Sequence, residues 1–436
     1  MVEQAAQVAQ MLVHGEAWTI KDLFVLPNEY VYWSIQIVLY PYMTGLVAGA
    51  FVLSSLYHVF GVEKLKEIAR FALVFSFALL PVAMLPLLLH LQQPLRGIHV
   101  MMTPHFTSAI SAFGIVFMTY GVIVASEIWF VYRKFIVESI HRLENKQRTG
   151  IDGLLLLIYR IISLGATDLS PAALQADHKA TKILAGIGIP VACFLHGYAG
   201  FIFGSVKANA LWMTPLMPVI FIMSAVVSGI ALCIVSYAIF MWLRRWALAQ
   251  GKNFFLPDQL AGTTNLTVEN LKEMQIHETT MTAKYLRIFM ILAITLELLD
   301  IIFRGYTAVK SWDILRQVIY EHDFVKIFIL QYGIGNALPF VMLLLPGLTT
   351  RRACVASVLV LFGVFMMRWN VVIGGQAFSL TFDGFMEYHL PIIPHDIETF
   401  KEGLGGVLLV FSAPFVIFYF LNMIFPAFYN SDDKAH

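Results

Sequence analysis

Leu211–Tyr237 reads LWMTPLMPVIFIMSAVVSGIALCIVSY. Two prolines fall near its start, and no charge interrupts the run until Arg244-Arg245. A helix needs about 20 apolar residues to cross a bilayer, and this run supplies more. Ser224, Ala225, Ser228, Gly229 and Ala231 recur at helical spacing, a stripe of small side chains against which a second helix can pack backbone to backbone. A counterpart stands near the start of the chain, Tyr40–Tyr57, YPYMTGLVAGAFVLSSLY. Sliding one on the other aligns Met43 with Met223, Thr44 with Ser224, Val47 with Val227, Gly49 with Gly229 and Tyr57 with Tyr237. An apolar pattern written twice implies two related helical units.

The rest of the chain agrees with a membrane reading. Of 436 residues, 59% are hydrophobic and 13% charged, where soluble domains carry roughly 25% charged residues. The expected class is an all-α polytopic membrane protein. A net charge of +1 without a basic stripe gives no footprint for nucleic acid. The N-terminal MVEQAAQVAQMLVHGEAW lacks a basic segment followed by an apolar core, so no cleaved signal peptide is expected. Cys193, Cys233 and Cys354 stand singly in apolar segments, so neither a disulfide framework, an iron–sulfur cluster nor a thiolate zinc site is expected.

Apolar runs predict nine spans, at about 30–57, 68–91, 107–132, 181–204, 215–243, 284–307, 324–346, 353–374 and 405–428. Residues 1–29 are expected along the membrane surface. Gly153–Gly165, GLLLLIYRIISLG, is too short to cross and reads as an amphipathic surface helix. The loops after spans one, three, five and seven carry Lys64, Lys66 and Arg70, then Arg133, Lys134 and Arg142, then Arg244 and Arg245, then Arg351 and Arg352. The opposite loops carry scattered bases such as Arg96 and Lys401, and the last is acidic, with Glu387, Asp396, Glu398 and Glu402. The positive-inside rule places the first set in the cytoplasm, the N-terminus outside and the C-terminus inside. Spans one and five both begin outside, so the repeat is parallel. The expected division is a surface segment at 1–29, a four-helix bundle at 30–204, a second at 205–374, and an outer loop with one further span at 375–436.

A charge at a span's centre costs roughly 2.5–3.5 kcal/mol on insertion scales, so each polar residue there asks for a reason. LLLHLQQPLRGIH ends span two with His90, Arg96 and His99; His105 opens span three, and His196 lies in the outer part of span four. These five are expected to converge near the outer face of the first bundle. Neutral imidazoles there can hydrogen-bond a carbonyl of a polar, redox-active head group and pass protons near neutral pH. Haem is the other use of membrane histidines, but beyond His90 with His196 no second ligand pair stands out. Tyr120 and Glu127 share a face of span three, and Glu297, Asp300 and Arg304 share a face of span six. Arg368 in span eight is a candidate ion-pair partner for Glu297 or Asp300. No metal site is expected.

Several of these segments together resemble the NrfD/polysulfide-reductase family of integral membrane subunits. Thr44-Gly45-Leu46-Val47-Ala48-Gly49 is similar to its first-helix signature TGLxAG. Pro94-Leu95-Arg96 resembles the end of its DLGRPxR motif, with His90 where an acid is usual and Gln93 where a base is usual. Ser108–Phe113 resembles the start of its third helix, and Leu211–Pro215 with Phe221–Gly229 resembles LWxTPxxPxxFxxSAxxSG. Arg368–Gln376 is similar to a segment of the longer members, which include the membrane subunits of the menaquinone reductase complex Qrc and of alternative complex III.

The resemblance implies two four-helix bundles, a subunit without its own cofactor, and a menaquinone site near the periplasmic surface of the first bundle. The expectation is therefore a quinone-reactive subunit of a respiratory oxidoreductase in the bacterial inner membrane. Electrons would come from an adjacent iron–sulfur subunit, itself joined to molybdopterin-type or multihaem cytochrome c partners. His90 and His196 are the expected catalytic pair. Gln36, Tyr40, Arg96, His99 and His105 would complete the quinone pocket. Tyr120, Glu127, Glu297, Asp300, Arg304 and Arg368 would carry protons. A secondary transporter, or a passive anchor without a quinone site, are the alternatives.

Overall fold

A computed structural model describes residues 31, 33–103, 105, 107–145, 150–206, 209, 211–251, 267–307, 315–377 and 385–428. The expected surface segment at 1–29 lies outside them. The helices are α1 Ile35–His58, α2 Lys66–Ala83, α3 Leu85–His90, α4 His99–Met102, α5 Ala109–Glu144, α6 Gly150–Ile162, α7 Pro171–Gly204, α8 Met217–Ala249, α9 Val268–Thr307, α10 Leu338–Leu344, α11 Thr350–Val372, α12 Ile397–Glu402 and α13 Leu404–Ile424. Two π-helical segments, Gln317–His322 and Val325–Ala337, lead into α10.

Among the described residues, eight segments are long and apolar enough to cross a membrane, and they coincide with eight of the nine expected spans. The chain is an all-α, multi-pass membrane protein. The sixth expected span is occupied by α9, a helix of 40 residues that carries Glu297, Asp300 and Arg304 near one end. The end of each helix that the loop charges assign to the outside is termed outer here.

The helix α1 is apolar all round and almost wholly buried, as a helix surrounded by others must be. It packs on α2, α7 and α8, while α8 packs on α9, α7 and α11. The helices α5 and α7 pair, and so do Val325–Ala337 and α11. The helices α1 and α8 thus meet at the centre, where Gly49 and Gly229 face each other. A Cβ on Gly229 would land on the backbone of Gly49 and Ala50, and one on Gly49 would strike the Ala225 carbonyl. The helix α13 lies against α1 and α2, with Phe418 among Phe71, Phe75 and Phe240.

Several boundaries depart from the apolar runs for local reasons. The second span breaks at Met84 before Pro86, whose ring removes a hydrogen bond and crowds the preceding turn. On the inner side α5 and α7 continue well past their apolar portions. Ser170 caps α7 by accepting from Ala173 N, with Pro171 in the first turn. Arg133, counted above as a loop base, is instead buried within α5. Its Nε donates to Asp177 at 2.7 and 2.9 Å and its Nη1 to the Asp168 carbonyl at 2.6 Å. The surface helix forms as α6. It buries Leu156 and Tyr159, exposes Leu154, Leu157 and Ile161, and is tied to α13 by Tyr159 Oη donating to the Ile424 carbonyl.

Candidate functional site

The outer ends of α1 and α3 are covered by the segment from Tyr388 to Glu402. Ser34 caps α1, and its Oγ lies 3.3 Å from His90 Nδ1 at the end of α3. His90 Nδ1 also reaches both carboxylate oxygens of Glu402, at 3.1 Å each. A carboxylate only accepts, so the His90 proton sits on Nδ1 and donates to Glu402. Nε2 then has no hydrogen bond among the described residues. Burial alone would lift the Glu402 carboxyl, but hydrogen bonds from His90 and Ser34 and the charges of His90 and Lys401 outweigh it and hold the group below its ordinary value. Gln36 Nε2 donates to the Lys401 carbonyl at 2.6 Å, and Ile35 N to Tyr388 Oη at 2.8 Å. Tyr40 is buried edge-on to Phe113.

The five outer groups do not converge as one cluster. Arg96, His99 and His105 are exposed, and His105 Nδ1 pairs with Thr107 Oγ1 at 2.8 Å. His196 faces the other way, into the seam between α1, α8 and α11, because Gly45 leaves its ring room there: a Cβ on Gly45 would lie 3.0 Å from His196 Cε1. His90 and His196 therefore do not face each other.

In that seam Arg368 of α11 is 1% exposed. Its Nη2 donates to His196 Nε2 at 2.9 Å and to Ser224 Oγ at 2.7 Å, and its guanidinium carbon sits 3.6 Å from the centre of the Phe221 ring. The expected ion pair from Arg368 to Glu297 or Asp300 is not formed. Asp300 is taken by Arg304 at 2.9 Å, one turn along the same helix, and accepts from Thr214 Oγ1 at 2.6 Å. Glu297 Oε2 accepts from Gln331 Nε2 at 3.0 Å and Asn336 Nδ2 at 3.4 Å. Glu297, Asp300, Arg304, Gln331, Tyr332 and Asn370 line a cavity of about 90 Å³ between α8, α9, Val325–Ala337 and α11. Tyr120 and Glu127 are buried in α5, and neither side chain has a hydrogen-bond partner among the described residues.

Sequence reasoning missed Glu402, Ser34 and Ser224 as members of these groups. Glu402 stood in an acidic loop 312 residues from His90, and only its place just before an apolar run set it apart. Among the described residues, no three His, Cys, Asp or Glu gather in a way that would hold a metal ion.

Comparison with known sequences places this architecture. The description "Polysulphide reductase, NrfD" matches residues 27–380. The chain belongs to the NrfD polysulphide reductase family. Among proteins similar to this NrfD chain is a subunit of the selenate reductase of Mesobacillus selenatarsenatis, 34% identical over 218 residues, a match covering 49% of each chain. The chain thus spans about half the length of that relative. It is 26% identical over 373 residues to a putative dimethyl sulfoxide reductase membrane subunit of Halobacterium salinarum, covering 83% of this chain and 71% of the relative. A third match, 24% over 214 residues, is to an Hdr-like menaquinol oxidoreductase integral membrane subunit of Archaeoglobus fulgidus, covering 49% of this chain and 44% of the relative.

Proposed function

We propose that this NrfD-family chain is the membrane subunit of an oxidoreductase complex and exchanges hydrogen with a menaquinone-type quinone at the outer rim of its first helical unit, residues 30–204. The observation that carries the reading is the His90–Glu402–Ser34 group. A carboxylate that holds one imidazole nitrogen leaves the other poised to take a proton from a quinol hydroxyl or, once protonated, to donate to a quinone carbonyl. The relatives named as reductase and menaquinol oxidoreductase subunits support the reading.

In this account the exposed Arg96, His99 and His105 face the head group or an electron-delivering iron–sulfur subunit, behind which molybdopterin-type or multihaem subunits supply or receive electrons. Gln36 and Tyr40 shape the inner wall. His196, held by Arg368, positions rather than reacts. Glu127 with Tyr120 carries protons in the first unit, and Glu297 with Asp300 and Arg304 in the second, residues 205–374. Residues 375–436 close the outer rim and add α13. The site faces the periplasm of a bacterial inner membrane, with the N-terminus on that side and the C-terminus in the cytoplasm.

The test is electron transfer to a soluble menaquinone analogue by the assembled complex. His90→Ala is expected to lose most turnover, and Glu402→Gln to lose a smaller part with a shifted pH profile. Unchanged turnover and unchanged inhibitor affinity in both variants would remove the rim from the reaction.

A further inference from the structure

Among the buried polar atoms that lack a hydrogen-bond partner in the described residues are those of Tyr120 and Glu127 on α5, His196 on α7 and Asn370 on α11. Glu127 is fully buried in α5, and neither of its carboxylate oxygens has a partner among the described residues. Tyr120, two turns nearer the outer end on the same face, has an unpartnered buried hydroxyl. Tyr120 stands eleven residues in from Ala109 and Cys193 eleven back from Gly204, about 16 Å in each case at 1.5 Å per residue. The two thus come level on the paired helices α5 and α7. Cys193 and His196, one turn apart, line a small pocket of about 10 Å³, close to the least space that holds one water. His196 Nδ1 is buried there without a partner. A second cavity lies on the far side of α8, between it, α9 and α11. Asn370 Oδ1 is buried and unpartnered, and it lines the cavity of about 90 Å³ with Glu297, room for a few waters.

Arg368 is bonded to His196 and stands two residues before Asn370 on α11. Its hydrogen-bond partners are a histidine, a serine, a carbonyl and the Met367 sulfur, and no carboxylate lies within hydrogen-bond reach of it among the described residues. It has no acceptor lone pair, so Nε2 of His196 accepts and the ring proton sits on Nδ1. A guanidinium cannot release its own proton at any ordinary pH and repels an added one. A fixed arginine excludes protons from water-filled pores by the same field. The stack on Phe221 and the bonds to Ser224 and His196 hold the charge in place without cancelling it, as a barrier requires.

We propose that Arg368 is a proton barrier between two hydrated half-paths. One runs from Glu127 past Tyr120 and Cys193 to His196, and the other leaves by Glu297 and Asn370. The barrier keeps the half-paths from joining into a diagonal short circuit through the chain. This rests on the reading that both units carry protons. Arg368 acts by position and charge, and neither it nor His196 touches substrate.

The full chain is reconstituted into liposomes holding a pH dye, and proton flux is driven by a potassium–valinomycin potential. The wild-type chain is expected to be as tight as lipid alone. Arg368→Gln is expected to raise proton flux by about tenfold or more, with potassium-independent selectivity for protons. Arg368→Lys, which keeps the charge, is expected to remain tight. Glu127→Gln added to Arg368→Gln is expected to restore tightness, which a misfolded, generally leaky chain would not show. A leaky wild-type chain, a tight Arg368→Gln chain, or an equally leaky Arg368→Lys chain would overturn the barrier. A leak in Arg368→Gln that Glu127→Gln leaves unchanged would instead overturn the assignment of Glu127 as a proton carrier.

Discussion

Replacing Gly229 by alanine tests the packing on which every site here depends. The added Cβ would lie about 1 Å inside ordinary carbon–carbon contact, which is about 3.5 Å, with Gly49 Cα and its carbonyl carbon. Both atoms are backbone at the centre of α1, a helix buried on all sides, so no side chain can swing aside. The helices must separate, and overpacking of this kind costs about 1–3 kcal/mol. For a chain of this length the unfolding entropy converts that into a fall of roughly 1–3 °C in Tm. Gly186→Ala supplies the control. It lies within α7, where a Cβ would meet nothing within 4 Å, and alanine in a helix is favoured over glycine by about 0.5–1 kcal/mol. Thermal unfolding of the purified chain in detergent, read by size-exclusion loss of the monodisperse peak, distinguishes them. Gly229→Ala should melt lower and Gly186→Ala at or slightly above wild type. Equal melting of Gly229→Ala and wild type, or equal losses in both variants, would refute the central contact.

Removing Arg133 by Arg133→Ala strips Asp177 of its buried partner and frees the Asp168 carbonyl; a loss of about 3 kcal/mol is expected, read as faster proteolysis of the inner loops between α5 and α7. Phe418→Ala removes a ring enclosed by Phe71, Phe75 and Phe240 and should cost about 3–5 kcal/mol, loosening α13 first in hydrogen exchange. Glu402 has a carboxyl held below its ordinary value. Its contribution is therefore full above the ordinary carboxylate pKa of about 4.3 and is lost as pH falls through its lower folded value. Exchange at residues 385–403 should accelerate on acidification below that point in wild type, while Glu402→Gln should show the fast rate already at neutral pH.

Much of the membrane architecture was legible because a helix in lipid must satisfy its backbone internally and show apolar side chains. The small-residue stripe at 224–231 and its echo at 44–49 identified the two helices that meet at Gly49 and Gly229. The inner extensions of α5 and α7 were not legible from hydropathy, which follows bilayer thickness, whereas Ser170, Pro171 and the Arg133–Asp177 pair continue the helices beyond it. His196 could be placed at a depth but not on a face. A long helix with neighbours on several sides shows no single apolar stripe, and the room beside Gly45 decides where the imidazole points. Asp300 found Arg304 one turn away, a pairing that spacing alone offers, and this left Arg368 to the histidine. The link from His90 to Glu402 spans most of the chain, and local patterning carries no signal for it. Nothing in the sequence marked the π-helical Val325–Ala337, whose Gln331 and Asn336 hold Glu297.

The decisive measurement is photocrosslinking with a menaquinone analogue carrying its reactive group on the ring, applied to the assembled complex in native membranes and mapped by mass spectrometry. Adducts on the peptides around Ser34, His90 and the 385–403 segment, abolished by excess unlabelled quinone, are the predicted result. Competed adducts confined to the cavity walls of α9 and α11, with none at the His90 rim, would contradict the account.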